Sequence, residues 1–284
     1  MGITASSIRL LAKALLEKEI NSTHTALVYS VLGVQGTYEE VEKILRSENY
    51  QLVEQSDTEI VLDSVTQFGN TIHVATLFKM LGYGRADTLD LFPDEHPDLI
   101  VDLNRSLPQH LWNQYDLVFD AGTAEHCFNV KEVLGNAARA LRVGGRVMHI
   151  LPMSGFAGHG FYQFSPDLFA AFYGANGFGE IEIKIDLRIG LKSWYFDFAP
   201  EKPLPGDFWG IPAQVFFAAR KMREVDEIVM PNQSVFELPL DHPLRAAKEI
   251  TPLTLLAKRF LPDVLKKYLL RKQFFMSTKL YPLW

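Results

Sequence analysis

Tyr115-Asp-Leu-Val-Phe-Asp120, Ala121-Gly-Thr-Ala-Glu-His-Cys-Phe-Asn129 and the segment from Val130 through Gly144-Gly145 to Leu151 decide the fold. The first is a short apolar run ending in an acid, as a buried strand reads. The second is dense in polar groups and reads as a loop. Apolar residues at Val130, Val133, Leu134, Ala137, Ala138 and Leu141 then recur at helical spacing, which predicts a helix over 130–141. Gly144-Gly145 reads as the stop of that helix. Residues 146–151 form a second buried-type strand that Pro152 is expected to end, 155–165 a second polar loop, and 166–177 the next helix. Strand, helix, strand, helix with short joints predicts a parallel sheet covered by helices on both faces. Ligands of such sheets bind beyond the carboxyl ends of the strands, where the loops 120–129 and 152–165 both fall.

Outward from this centre the same alternation continues. Residues 5–20 are amphipathic, 25–32 are β-branched and apolar, and Leu32-Gly-Val-Gln-Gly36 is a turn before a helix opened by Thr37, with Glu40 three residues on. Turn amides at such a helix start can approach a ligand. A strand is expected near 59–65, a helix over 71–81, a strand ending at Asp90, and a short strand over 97–104. A carboxylate at Asp90 suits a ribose diol, because it accepts two hydroxyl hydrogens. Strands at 179–189 and 213–220 flank an aromatic stretch, 191–212, which reads either as a pocket wall or as packing for the tail. Residues 255–270 are basic and helical in pattern, with a break at Pro262.

The totals fit one large α/β domain with additions: 284 residues, 48% hydrophobic and 22% charged. One cysteine excludes an internal disulfide, and the N-terminus lacks a signal-peptide pattern, so a reducing, cytoplasmic setting is expected. No apolar run approaches the ~20 residues of a membrane span. The net charge of −6 is uneven: beyond Leu244 there are nine basic and two acidic residues, a net +7, leaving −13 for the rest. The acidic body argues against nucleic acid as a partner. The basic tail suits peripheral contact with an anionic surface, or contact between two copies in a homodimer. The organisation read from this is an N-terminal helix (1–24), a nucleotide-binding-type domain (25–222) and a basic helical extension packed on it (223–284).

The succession of elements resembles the class I S-adenosylmethionine-dependent methyltransferases. The residues that carry the resemblance are Asp90, the strand end Asp102-Leu103-Asn104, the strand 116–120, Glu125-His126 and the helix closing on Leu141-Arg-Val-Gly-Gly145. More narrowly, Asp120–Asn129 and Gly158-His-Gly-Phe-Tyr-Gln-Phe-Ser-Pro166 resemble the signatures of a poorly characterised methyltransferase-like group, whose first strand ends in Leu-Gly-x-Gln, here Leu32-Gly33-Val34-Gln35. The resemblance covers roughly 25–220. It implies a doubly wound, mostly parallel, seven-stranded Rossmann-like sheet, S-adenosylmethionine as cofactor, and methyl transfer to a small-molecule or glycan-type acceptor. On it, Asp90 holds the ribose, Asp102 and Leu103 border the adenine, and Gly33, Gln35, Gly36, Asp120 and Gly122 line the methionine end. Instead of the superfamily's acid-x-Gly-x-Gly-x-Gly loop this chain has Leu-Gly-Val-Gln-Gly. That departure leaves a second expectation, a methyltransferase fold retained for binding or assembly without catalysis. A nicotinamide oxidoreductase is disfavoured by the missing Gly-x-Gly-x-x-Gly.

Methyl transfer from a sulfonium asks the protein to position the reactants, exclude water and deprotonate the acceptor. His126 and His159 are the candidate bases, with Glu125 to orient either ring. Tyr162 and Gln163 are candidate substrate contacts. Asp120, Glu125, His126 and His159 could form an oxygen/nitrogen metal site, but no short-range ligand spacing supports it, and no metal is expected. His149, inside a strand, reads as a core histidine.

Overall fold

The computed structural model describes residues 2–16, 18–53, 71–190, 192–198, 204, 208–233 and 263–283. The expected strand at 59–65 and the tail segment up to Pro262 lie outside them. The elements in chain order are α1 (Ala5–Leu15), β1 (Thr25–Tyr29), α2 (Tyr38–Ser47), α3 (Val74–Met80), β2 (Arg85–Asp90), β3 (Leu99–Ile100), β4 (Tyr115–Asp120), α4 (Val130–Ala140), β5 (Leu141–Ser154), α5 (Pro166–Ala175), β6 (Phe178–Ile189), β7 (Lys192–Asp197), β8 (Ala213–Lys221), α6 (Asp263–Ser277) and β9 (Tyr281–Pro282).

They form a sheet of order β3-β2-β1-β4-β5-β8-β6-β7-β9. Strands β3, β2, β1, β4 and β5 are parallel, β8 runs antiparallel between β5 and β6, and β7 and β9 extend the far edge antiparallel. The 3-2-1-4-5 half is the doubly wound order, whose ligand crevice opens where the order reverses, at the carboxyl end of β1. Side chains alternate between two cores. Leu27 and Tyr29 face α4 and α5, whereas Ala26 and Val28 face α1, α2 and α3. A parallel sheet needs such cover on both faces.

Apart from the one near 59–65, the expected strands are present, and the aromatic stretch and the tail add two more, so that the sheet has nine strands among the described residues and not seven. Residues 192–197 are a strand, because Trp194, Tyr195 and Phe196 pair with Leu187, Asp186 and Ile185. Tyr195 stacks on Tyr281 at 5.0 Å, and Phe196, Phe208 and Trp209 surround Phe274 at 5.5–5.8 Å. The stretch therefore packs the tail onto the sheet.

Three other expectations are corrected. Helix α4 ends at Ala140 and runs directly into β5, where Leu141 pairs with Tyr115 before a bulge. Gly144 (φ +90) and Gly145 serve that bulge; a Cβ on Gly145 would meet Arg142 O, Asp116 O and Leu141 Cδ2, each at 3.0 Å. Pro152 does not end β5. Pairing with β4 stops at Asp120–His149, so the missing N–H faces no strand on that side, while Pro152 O accepts from Phe164 N at 2.7 Å. Helix α3 starts at Val74 because His73 Nδ1 caps Ala75 N at 3.2 Å. At α2 the expected capping box forms in full, Thr37 Oγ1 with Glu40 N and Glu40 Oε2 with Thr37 N.

Candidate functional site

The crevice begins at Ser30. Strand β1 ends at Tyr29, and Ser30 turns the chain with φ +66, a conformation that costs a non-glycine residue and is kept where surrounding contacts enforce it. Its N–H donates to Leu89 O at 2.7 Å and its hydroxyl to Asp90 Oδ2 at 2.6 Å. Asp90 Oδ1 accepts from Phe92 N at 3.0 Å. The carboxylate is only half-buried at the end of β2, so its remaining lone pairs stay open to a ligand.

The turn thus comes earlier than the Leu32–Gly36 segment, and that segment is not a free loop. Ile3 bridges Val34 in parallel, Ile3 N donates to Gly33 O at 2.8 Å, and Gln35 N donates to Ile3 O at 2.9 Å. Gly36 N donates to Val34 O at 3.0 Å, and Gly36 O accepts from Ile72 N at 3.2 Å. Gly36 is buried and Gln35 exposed. The backbone amides of Gln35 and Gly36 are therefore spent on the protein, and only the Gln35 side chain faces solvent. Gly2 is required for this seat, since a Cβ there would stand 2.6 Å from Gly33 O.

On the other side of β1, Asp120 is fully buried. Its Oδ2 lies 3.1 Å from His149 Nδ1, whose Nε2 lies 2.6 Å from the Tyr173 hydroxyl, and its Oδ1 accepts from Thr123 N at 2.9 Å. Asp120 thus faces the interior and not a methionine-end pocket, which corrects its expected role, and His149 is the core histidine expected. Gly122 (φ +115) makes the turn that lets Thr123 reach back, its hydroxyl donating to Tyr29 O at 2.9 Å. Beyond β3, Asp102 Oδ1 accepts from Asn104 N at 2.9 Å, and Asn104 Oδ1 accepts from Asn129 N at 2.9 Å, tying the exits of β3 and β4 together. Leu103 is buried and its carbonyl accepts from Asn136 Nδ2 at 3.3 Å; it packs under the crevice.

Glu125, His126 and His159 converge. The turn Ala124–His126 is pinned to the second loop by Phe161 N, which donates to Glu125 O at 2.8 Å. Gly160 permits this approach: a Cβ there would sit 2.8 Å from Glu125 O and 3.0 Å from Glu125 Cγ. The Glu125 side chain is 0% exposed, His126 46% and His159 33%. His126 Nε2 and His159 Nε2 stand 3.9 and 3.6 Å from Glu125 Oε1, beyond hydrogen-bond length, and the imidazoles meet edge to face at 5.1 Å. Burial, with the Asp120 carboxylate second, pushes the Glu125 carboxyl up to about 8. Burial first and His159 second hold His126 below its ordinary value. Burial pushes the Cys127 thiol up to about 12, which removes it as a nucleophile near neutral pH.

Tyr162 and Gln163 hold the loops: the Tyr162 hydroxyl donates to Phe128 O at 2.9 Å, and Gln163 Oε1 accepts from Phe156 N at 3.0 Å. The Tyr162 hydroxyl and the Gln163 side-chain oxygen are thus engaged by the protein. Exposed apolar surface on these loops belongs instead to residues that sequence reasoning passed over. Phe128 and Phe161, 73% and 68% exposed, meet edge to face at 6.0 Å, and Phe92 is 63% exposed. Phenylalanines in loops read as core by default; their position two residues after His126, His159 and Asp90 was the available signal.

No family model matches the chain, and no curated protein matches it. Solved structures do. The chain is similar to an S-adenosylmethionine-dependent methyltransferase from Thermotoga maritima (13% identity, 76% of this chain and 89% of that one, TM-score 0.37). It is similar to phosphoethanolamine N-methyltransferase 2 of Haemonchus contortus, solved with phosphomonomethylethanolamine and S-adenosylhomocysteine (13%, 76% and 52%, TM-score 0.41). It is also similar to the 1,6-didemethyltoxoflavin-N1-methyltransferase of Burkholderia thailandensis, solved with its substrate and S-adenosylhomocysteine (12%, 77% and 80%, TM-score 0.37). The strand order and the two-faced core make this a doubly wound, Rossmann-like α/β fold.

Proposed function

We infer that the protein transfers a methyl group from S-adenosylmethionine to a small-molecule or glycan-type acceptor. The observation that carries this reading is the arrangement about β1: the half-open Asp90 carboxylate on one side, and on the other the loop that Thr123 ties to Tyr29 and that bears Glu125, His126 and the contact with His159. In this reading Asp90 accepts the ribose hydroxyls, Phe92 covers the adenine, and Asp102, held by Asn104, borders it. The Gln35 side chain approaches the amino-acid end. The acceptor sits between the imidazoles and the exposed Phe128–Phe161 pair, whose ring faces suit a sugar or another flat apolar ring. The histidine cluster takes up the acceptor's proton, and His126, held below its ordinary pKa, offers a neutral ring for it. Sulfonium chemistry asks little more of the protein, because the donor is already activated.

One observation favours a second reading, binding without catalysis: the amides of Gln35 and Gly36 are taken by neighbouring backbone, so the first loop offers a ligand fewer donors than a glycine loop would. Calorimetric titration of the folded protein with S-adenosylmethionine separates the two. Saturable one-site binding supports methyl transfer, and its absence supports the second reading.

A further inference from the structure

We propose that Glu125, His126 and His159 form a binding site for a divalent first-row transition-metal ion. Among the described residues these are the three carboxylate and imidazole donors whose ligand atoms all lie within 4.8 Å of one another. The independent sign is in what they lack. Glu125 is completely buried, yet neither Oε1 nor Oε2 has a hydrogen-bond partner, and Nε2 of His159 is buried without one as well. Buried polar atoms are almost always satisfied, and an unpaired carboxylate is among the costliest exceptions. Here the orphaned atoms point at one another from 3.6 Å, with His126 Nε2 at 3.9 Å from the same Glu125 oxygen.

An ion bound at about 2.0–2.2 Å separates adjacent donors by roughly 3.0–3.4 Å. The two Glu125–His separations need to close by only a few tenths of an ångström to meet this. Two imidazoles and one carboxylate, with further coordination positions open, is a donor set suited to zinc, iron(II) and similar ions, and not to calcium or magnesium. The backbone supports it: Phe161 N and Tyr162 N both donate to Glu125 O, at 2.8 and 3.3 Å, so the two ligand-bearing loops are joined at the ligand itself. Because His126 is half exposed, the site is open to solvent on its side. The use of the open coordination positions to hold and acidify an acceptor hydroxyl rests on the methyl-transfer reading, in which an ion held by His126 and His159 would take over the proton-accepting role given to their rings; ion binding does not rest on it.

The test is calorimetric titration of the full-length, chelator-stripped protein with zinc chloride, repeated on Glu125→Gln, His126→Ala and His159→Ala, each checked for native circular dichroism. One zinc per chain is expected, with affinity falling 100-fold or more in Glu125→Gln and His159→Ala. Cobalt(II) added to the wild type is expected to give visible d–d bands that His126→Ala, altered at an exposed position, weakens. No binding by the folded wild type, or equal affinity in all three variants, overturns the site. Zinc binding without S-adenosylmethionine binding supports the site while removing the methyl-transfer reading, and S-adenosylmethionine binding without zinc binding does the reverse.

Discussion

Replacing Asp120 by alanine removes the acceptor of two contacts at once, the 3.1 Å approach of His149 Nδ1 and the 2.9 Å bond from Thr123 N. All three side chains of the chain Asp120–His149–Tyr173 are fully buried, so water cannot replace what is lost. An orphaned ring nitrogen at about 1–3 kcal/mol and a charge-assisted bond at about 1.5–3 kcal/mol put the cost at about 2.5–6 kcal/mol. For a domain of this size that is a fall in Tm of roughly 4–10 °C. Tyr173→Phe removes only the hydroxyl 2.6 Å from His149 Nε2 and keeps the ring stacked on Phe217, so it costs about 1–2 kcal/mol. Because both changes act through one imidazole, the double variant loses less than the two singles together. Thermal and urea unfolding at pH 7.5 measure all three. An Asp120→Ala protein melting within about 2 °C of wild type, or strict additivity in the double variant, refutes the buried chain.

Two further outcomes follow from single residues. Asp186 in β6 is buried with Oδ1 unpartnered, and burial pushes its carboxyl up to about 6 despite bonds from Ser6 and Ser193. The folded state then binds more protons than the unfolded one between about pH 4 and 6, so stability falls as pH rises through that window, by at most about 3 kcal/mol. Asp186→Asn flattens this component and is more stable than wild type at pH 7.5; an unchanged difference between the two proteins from pH 4.5 to 7.5 contradicts it. Gly160→Ala drives a methyl group against Glu125 O and costs about 1–3 kcal/mol, with faster hydrogen exchange at the Phe161 amide. Unchanged exchange there means the two loops are not joined as described.

What could be read from the chain, and what could not, divides along local and non-local physics. The β4–loop–α4 unit was legible because period and polarity change within a few residues, and the capping box at Thr37–Glu40 is wholly local. Helix α4 ends within a residue of the expected bound, but the start of β5 was placed too late because Gly144 and Gly145 signal positive φ and close approach, which a strand bulge uses as well as a helix stop does. Strand β7 was hidden by its aromatic content, which reads equally as a pocket wall or as packing for the tail until Tyr281 and Phe274 are known to lie against it. At the site, Glu125, His126 and His159 were found from loop position, and their mutual contact depends on tertiary folding of residues more than thirty apart. Ser30 was missed because the turn signal sought was glycine, and the occupation of the Gln35 amide by Ile3 is invisible without the N-terminal bridge. Asp120 was placed in the pocket on the resemblance alone; its pairing with His149 turns it inward.

The central claim is that Asp90 holds the cofactor's ribose at the carboxyl end of β2. Titrating S-adenosylmethionine into wild type and Asp90→Asn tests it directly, because the substitution keeps the shape and one acceptor while removing the charge. Losing about 1.4 kcal/mol of charge-assisted bonding predicts roughly tenfold weaker binding in a protein of unchanged fold. Equal affinity in the two proteins, or no binding by either, contradicts it.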